Sequence, residues 1–352
     1  MTATVAIVFI DQNYSAALRR ALDLLGGTAD LNLANREVTI KIGLFDPKQH
    51  HHTCVEGVQA IVDAFDQAPR VYLAESDNYC GPALERLERF RPVFSERVVP
   101  ASLSDPNQAE VRAIAGGEMA LGSVMFKPRV FVSTHVLRTF IRGSILKNLF
   151  GCTPMVKKSA FHKNTIFCAQ LADIFEAVGG IDLAVLDGTN LFFNASDKLL
   201  PMNILAVSRD AVALEVVGML LAGVKPEKSP VIQEFVRRGL GEGDINNIQI
   251  VGVSAAEFTQ LKRRHKELKK MIDAAPKLPG VSDTIDILVE AGWFGAARCV
   301  PEVVVELQQR GVTNATPALV ETTLKRRAGK TLERAKEGEG RSAPWLYKAV
   351  RV

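Results

Sequence analysis

Short apolar runs rich in β-branched residues alternate with stretches of helical period along most of the chain. Val5–Ile10 (VAIVFI), Glu37–Leu44 (EVTIKIGL), Arg70–Ala74, Arg129–Ser133 (RVFVS), Ile181–Leu186 (IDLAVL), Asn203–Val207 (NILAV) and Ile248–Val251 (IQIV) read as strands. Their near-continuous apolar character is that of strands covered on both faces. Between them, the spacing predicts helices over Ala16–Leu25, Cys54–Phe65, Pro82–Phe90, Asp210–Ala222 and Val231–Arg238, with a further helix closing at Asp173–Val178. Gly26-Gly27 and Gly179-Gly180 stop two of them, and Thr53 with Glu56 is spaced as a capping box. Such alternation predicts an α/β core with a mostly parallel sheet covered by helices.

The pattern changes near Ala274–Val281 (AAPKLPGV), where two prolines and a glycine interrupt it. The expected organisation is a core over 1–273, a linker over 274–281 and a small domain over 282–352. In that domain Asp283–Ala291 and Pro301–Arg310 read as helices, and Thr316 caps a third with Pro317 in its first turn. Thr331–Ala335 and Trp345–Val350 then flank the polar turn KEGEGRSAP. Three short helices and a hairpin predict a winged helix-turn-helix with the third helix in the recognition position.

Composition narrows the function classes. The 352 residues are 47% hydrophobic and 23% charged with a net charge of +4, which excludes a globally basic nucleic-acid coat. The charge is uneven. From Gln260 onward there are 18 Lys and Arg against 11 Asp and Glu, a net of +7, and the rest carries −3. A basic C-terminal quarter fits a polyanion, so Lys325, Arg326, Arg327, Lys330 and Arg341 are candidate phosphate contacts to double-stranded DNA. The competing reading makes this domain a packing or homodimerisation module. Five scattered cysteines with no Cys-x-x-Cys pair argue against an iron–sulfur cluster and fit a reducing cytoplasm. The longest apolar stretch, Ala211–Val224, contains Glu215 and is too short to span a bilayer, and the N-terminus does not read as a signal peptide, so no membrane is expected.

Standard motifs are absent: there is no phosphate loop and no nucleophile elbow, and RGLGEGD follows a helix instead of opening one. What remains is a set of polar residues at strand ends, where open α/β sheets bind ligands. Lys41 lies inside a strand and must be paired or face a ligand. Glu75, Asp77, His135, Asp187 and Asp210 follow other strands. Lys147-Asn148 in GSILKNLFG suits a phosphate or carboxylate, and His162 in KKSAFHKN suits proton transfer. His50, His52 and Cys54 form a candidate set for a divalent metal, with anion binding at the helix start as the alternative.

These segments, in this order, resemble the family catalogued as domain of unknown function 362, over roughly residues 37 to 252. The carriers are IKIGLF, ILKNLFG with KKSAFHKN downstream, IDLAVLDG, ILAVSRDAVALEVVG and GLGEGDINNIQIVG. The resemblance implies a shared site at Lys41, Lys147, Asn148, His162, Asp187 and Asp210. It also implies a histidine where this chain has Phe140, and a ferredoxin-like cysteine run that this chain lacks. The expectation is a site for a small anionic metabolite, with Lys41, His162 and Asp187 in catalytic roles and Lys147, Asn148, Asp210 and His135 binding the ligand. Whether the chain is an enzyme stays open, and a ligand-sensing DNA-binding regulator is the alternative.

Overall fold

The computed structural model describes residues 2–11, 13–48, 51–152, 164–193, 198–273, 280–312, 314–338 and 343–350. The chain divides into two compact units, Met1–Ile272 and Asp273–Val352. The first begins β1 (Ala3–Phe9), α1 (Tyr14–Leu24), β2 (Val38–Lys41), α2 (Val55–Asp63), β3 (Val71–Glu75), α3 (Ala83–Leu87) and β4 (Val98–Ser102). A hairpin of β5 (Ala109–Ile114) and β6 (Gly117–Gly122) leads to β7 (Val130–Arg138), α4 (Asn164–Ala177), β8 (Leu183–Phe192) and β9 (Leu199–Ser208). Then come α5 (Ala211–Leu221), α6 (Pro230–Arg237), β10 (Ile248–Val251), α7 (Ala255–Arg263) and α8 (His265–Asp273).

Eight strands form one sheet in the order β10-β1-β9-β8-β7-β2-β3-β4. Only β9 runs against its neighbours, so the sheet is mostly parallel, as the apolar pattern predicts. Side chains alternate between its faces. Ile40, Val132, Val185 and Leu205 pack with Leu18 of α1 and Ile61 of α2 on one side. Phe131, Leu186 and Ile7 pack with Phe167 of α4, Val212 of α5, Phe235 of α6 and Phe258 of α7 on the other. Each large apolar side chain removed from water in this way contributes about 1.5–3 kcal/mol.

The strand order positions the site. From β2 the chain proceeds outward through β3 to β4, then returns to the other side of β2 and proceeds through β7 to β8. The helix after β2 covers one face and the helix after β7 covers the opposite face. The carboxyl ends of β2 and β7 therefore flank a crevice at the point where the strand order turns back, the place where such sheets bind ligands.

Helix starts follow local chemistry with one departure. Asn13 caps α1 through Ala16 N–H, and Ser254 with Glu257 forms a capping box at α7. At α2 the cap is Cys54, whose Sγ accepts from Gly57 N–H at 3.3 Å. Thr53 is instead bonded to Thr134 at 2.8 Å, because β7 offers it a buried hydroxyl partner.

The second unit holds α9 (Val281–Glu290), β11 (Arg298–Cys299), α10 (Val300–Gln309), α11 (Pro317–Arg327), β12 (Leu332–Lys336) and β13 (Trp345–Ala349). Its strands pair antiparallel in the order β11-β13-β12. Its core gathers Ile285, Leu288, Phe294, Val303, Leu307, Val320, Leu324, Leu332 and Tyr347. Among the described residues, no helix is long and apolar enough to cross a membrane.

Candidate functional site

The site begins with an ion pair. Lys41, the last residue of β2, is only 1% exposed, and its Nζ lies 2.7 Å from Oε1 of Glu75, the last residue of β3. The register of the parallel strands sets this meeting, since Lys41 pairs with Ala74, the residue before Glu75. Glu75 Oε1 also accepts from Leu44 N–H at 2.7 Å, which fixes the turn after β2. The second Lys41 partner is Asn148 Oδ1 at 3.2 Å. Asn148 Nδ2 in turn donates to the carbonyl of Lys41, to Ser133 Oγ and to the carbonyl of Thr134. Asn148 thus stitches β2 to β7 and positions Lys41.

A second buried carboxylate holds the segment that carries Lys147 and Asn148. Glu215, on the apolar helix α5, accepts Ser144 N–H and Leu146 N–H at 2.8 Å each. Gly143, at φ +81°, comes so close that an added Cβ would fall 2.5 Å from the carboxylate carbon. Burial pushes the Glu215 carboxyl up, while these amides and Arg138 pull it down. Arg138 ends β7 and donates from Nη2 to the carbonyl of Gly143 at 3.1 Å. Burial lowers its guanidinium to about 10, opposed by Glu215, so it stays charged at neutral pH.

Phe140 receives both remaining cations on its ring, Lys147 Nζ at 5.1 Å and Arg138 Cζ at 5.3 Å from the centroid. His135 completes the set. Its Nδ1 accepts the N–H of Val136 at 2.8 Å. Burial, and then Arg138, Lys147, Lys41 and His52, hold the imidazole well below its ordinary pKa, so it is neutral near pH 7. Lys41, Glu75, His135, Arg138, Lys147 and Asn148 line one cleft of about 680 Å³ at the crevice between β2 and β7.

A model of the family described as Domain of unknown function (DUF362) matches residues 38–219, just over half of the chain. The chain belongs to that family. The match contains every residue that builds the cleft, from Lys41 to Glu215, and ends before the GLGEGDINNIQIVG segment. Where the resemblance led to the expectation of a family histidine, Phe140 serves as the surface under two cations. No curated protein matches the chain. Among solved structures, a loganic acid methyltransferase with SAH aligns over 95% of this chain and 89% of its own, at 10% identity and a TM-score of 0.22. A likeness that weak bears on neither fold nor function.

The expected site residues, those of the family resemblance together with His135, do not all meet. Lys41, His135, Lys147 and Asn148 do. Asp187 does not, because strand alternation turns it to the opposite face of the sheet from Lys41 and His135. Its carboxylate accepts from Cys54 N–H, Thr189 N–H and Thr189 Oγ1, and it lines a separate cleft of about 290 Å³ with His52, Cys54 and Asn190. Asp210 is removed further. It follows β9, the one reversed strand, so it lies at the other end of the sheet. There its Oδ1 caps α5 through Val212 and Ala213, and its Oδ2 accepts Glu242 N–H. His162 lies outside the described residues, as do His50 and Arg341.

The metal set does not assemble among the described residues, where no group of three or more His, Cys, Asp or Glu is placed to hold an ion. Adjacent side chains diverge: His51 packs on Phe192 and lines the large cleft, whereas His52 packs on Phe90. The Cys54 thiol is pushed up to about 12 by burial and by Asp187, which disfavours the thiolate a metal needs.

In the second unit the candidate cations divide. Arg327 is a structural staple from α11 to α9, two-pronged on Asp286 at 2.6 Å and bonded to Ser282. Lys325 pairs with Glu321 one turn away at 2.7 Å. Arg326 and Lys330 are exposed.

Glu215 and Arg138 are the site residues that sequence reasoning missed. A lone carboxylate in an apolar helix signals a buried partner, since an unpaired one is too costly to retain.

Proposed function

We propose that this chain binds a small anionic molecule in the cleft at the carboxyl ends of β2, β3 and β7. The observation that carries the reading is the convergence of Lys41, Arg138 and Lys147 on one crevice at the topological switch point. Among the described residues, Asp46 and Glu75 are the lining carboxylates that oppose them, and His135 adds no charge near pH 7. Partly buried cations attract an anion more strongly than exposed ones, because the local dielectric is low. Glu215 and Asn148 support the arrangement from behind, as preorganised binding requires. A thermal-shift screen of small carboxylates and phosphates tests it. At least one compound raises the wild-type melting temperature, and Lys147→Ala abolishes that rise while its own melting stays close to wild type. Full retention of the rise in Lys147→Ala contradicts the reading.

The second reading makes the C-terminal unit a winged helix that binds duplex DNA. It is favoured by the net charge of +7 from Gln260 onward and by exposed Lys325, Arg326 and Lys330. Affinity for duplex DNA then falls steeply with salt and disappears when residues 282–352 are removed. No binding at low salt ends this reading and leaves packing or self-association as the unit's role.

A further inference from the structure

We propose that the cleft is a donor-rich pocket for a carboxylate with a neighbouring acceptor oxygen, as in oxalate or a 2-oxo acid, and that His135 binds it as a neutral N–H donor. The inference rests on the anion-binding reading above and specifies its chemistry.

The cleft holds hydrogen-bond donors that have no acceptor among the described residues. The Lys41 ammonium carries three donors. Asn148 Oδ1 accepts one, Glu75 Oε1 stands against the ammonium as its ion-pair partner at 2.7 Å, and no other acceptor reaches it among the described residues, although Lys41 is buried. Gly151 lies beside this ammonium, where an added Cβ would fall 2.7 Å from Nζ and cover it. Arg138 has five donors, of which one reaches Gly143, and its buried Nε has no partner among the described residues.

His135 offers a donor for a different reason. A neutral imidazole has one N–H and one acceptor nitrogen. The Val136 amide occupies Nδ1, which assigns the proton to Nε2. Cδ2, the ring atom bonded to Nε2, faces the Gly43 turn, where an added Cβ would fall 2.6 Å away and also 3.1 Å from Asn148 Oδ1. Asn148 Oδ1 thus faces the same Gly43 turn as the His135 ring edge and accepts from the Lys41 ammonium. To become a cation, His135 must give up the Val136 bond and accept charge beside Arg138 on its own strand, Lys147 on the following segment, Lys41 on β2 and His52 ahead of α2. Hence the lining has donors in excess: of its carboxylates among the described residues, Glu75 is engaged by Lys41 and Leu44 N–H, and Asp46 accepts Lys48 N–H. A ligand that brings only acceptors satisfies it. A ligand that must donate a proton does not.

Calorimetric titration of the full chain with oxalate and with inorganic phosphate tests this, from about pH 5.5 to 8.5, a range that brackets the ordinary imidazole pKa. In a His51→Gln background, which removes the other imidazole lining the cleft, oxalate affinity is expected to stay within about threefold across the range. His135→Gln, which keeps an N–H donor, stays within about threefold of wild type, and His135→Phe loses about tenfold or more, the scale of one hydrogen bond. An affinity that climbs tenfold as the pH drops through the imidazole range, with His135→Gln inactive, shows binding by imidazolium and overturns the donor role while the anion cleft stands. Phosphate binding without oxalate binding overturns the carboxylate class alone. If neither anion binds at any pH, the anion-binding reading fails and this inference fails with it.

Discussion

Glu75→Gln isolates the ion pair on which the cleft is built. The substitution keeps the shape of the side chain and an acceptor for Leu44 N–H, but it leaves the Lys41 ammonium in place without its counter-charge. Both partners are almost fully enclosed, with side-chain exposures of 1% and 4%, so solvent screens the loss very little. Breaking a buried pair by removing one partner costs about 3–5 kcal/mol. At about 2–4 °C per kcal/mol for a unit of this size, the melting temperature falls by roughly 6–20 °C. Replacing both residues, as Lys41→Met with Glu75→Leu, removes both charges and recovers most of that loss. Differential scanning calorimetry of wild type and the two variants at neutral pH makes the comparison. A Glu75→Gln melting temperature within about 2 °C of wild type, or a double variant no more stable than the single one, refutes the account of Lys41 as a buried, carboxylate-dependent cation.

Three more expectations can be checked directly. In His135→Phe, stability loses part of its acid dependence. The folded pKa of His135 is depressed, so the unfolded chain takes the proton first, and wild-type stability declines as pH falls below about 6.5 with a slope approaching 1.4 kcal/mol per pH unit per proton; equal slopes for both proteins contradict it. Arg327→Ala destabilises the second unit by about 1 kcal/mol through the lost Asp286 and Ser282 bonds, allowing for Asp286 being half exposed, whereas Arg326→Ala changes melting by no more than about 0.5 kcal/mol. Equal effects argue against the staple. At pH 7.5 iodoacetamide modifies the exposed Cys80 before Cys54, whose thiol is pushed up to about 12. Peptide mass spectrometry that finds Cys54 labelled first removes the argument against a thiolate there.

Much of the core is legible as strand–helix alternation because most strands are apolar on both faces. The short hairpin β5–β6 is not, since Glu110, Arg112 and Glu118 make it read as a polar loop. The site is legible at Lys41, where a cation inside a buried strand demands a partner. It is illegible at Asp187 and Asp210 because sequence shows a strand's end without its direction or its face. A reversed β9 sends Asp210 to the opposite end of the strands, and a side-chain period of two sends Asp187 to the other face. Glu215 escapes because its partners are backbone amides of a distant loop, which no spacing along the chain reveals.

The most direct examination of the anion cleft is an amide NMR titration of the full chain with oxalate. Shifts concentrate at Gly43, Leu44, His135, Val136, Asn148 and Gly151, with Thr189 and Val212 unmoved, if oxalate occupies the cleft. Shifts centred on Thr189 or Val212, or spread evenly over surface lysines, contradict it.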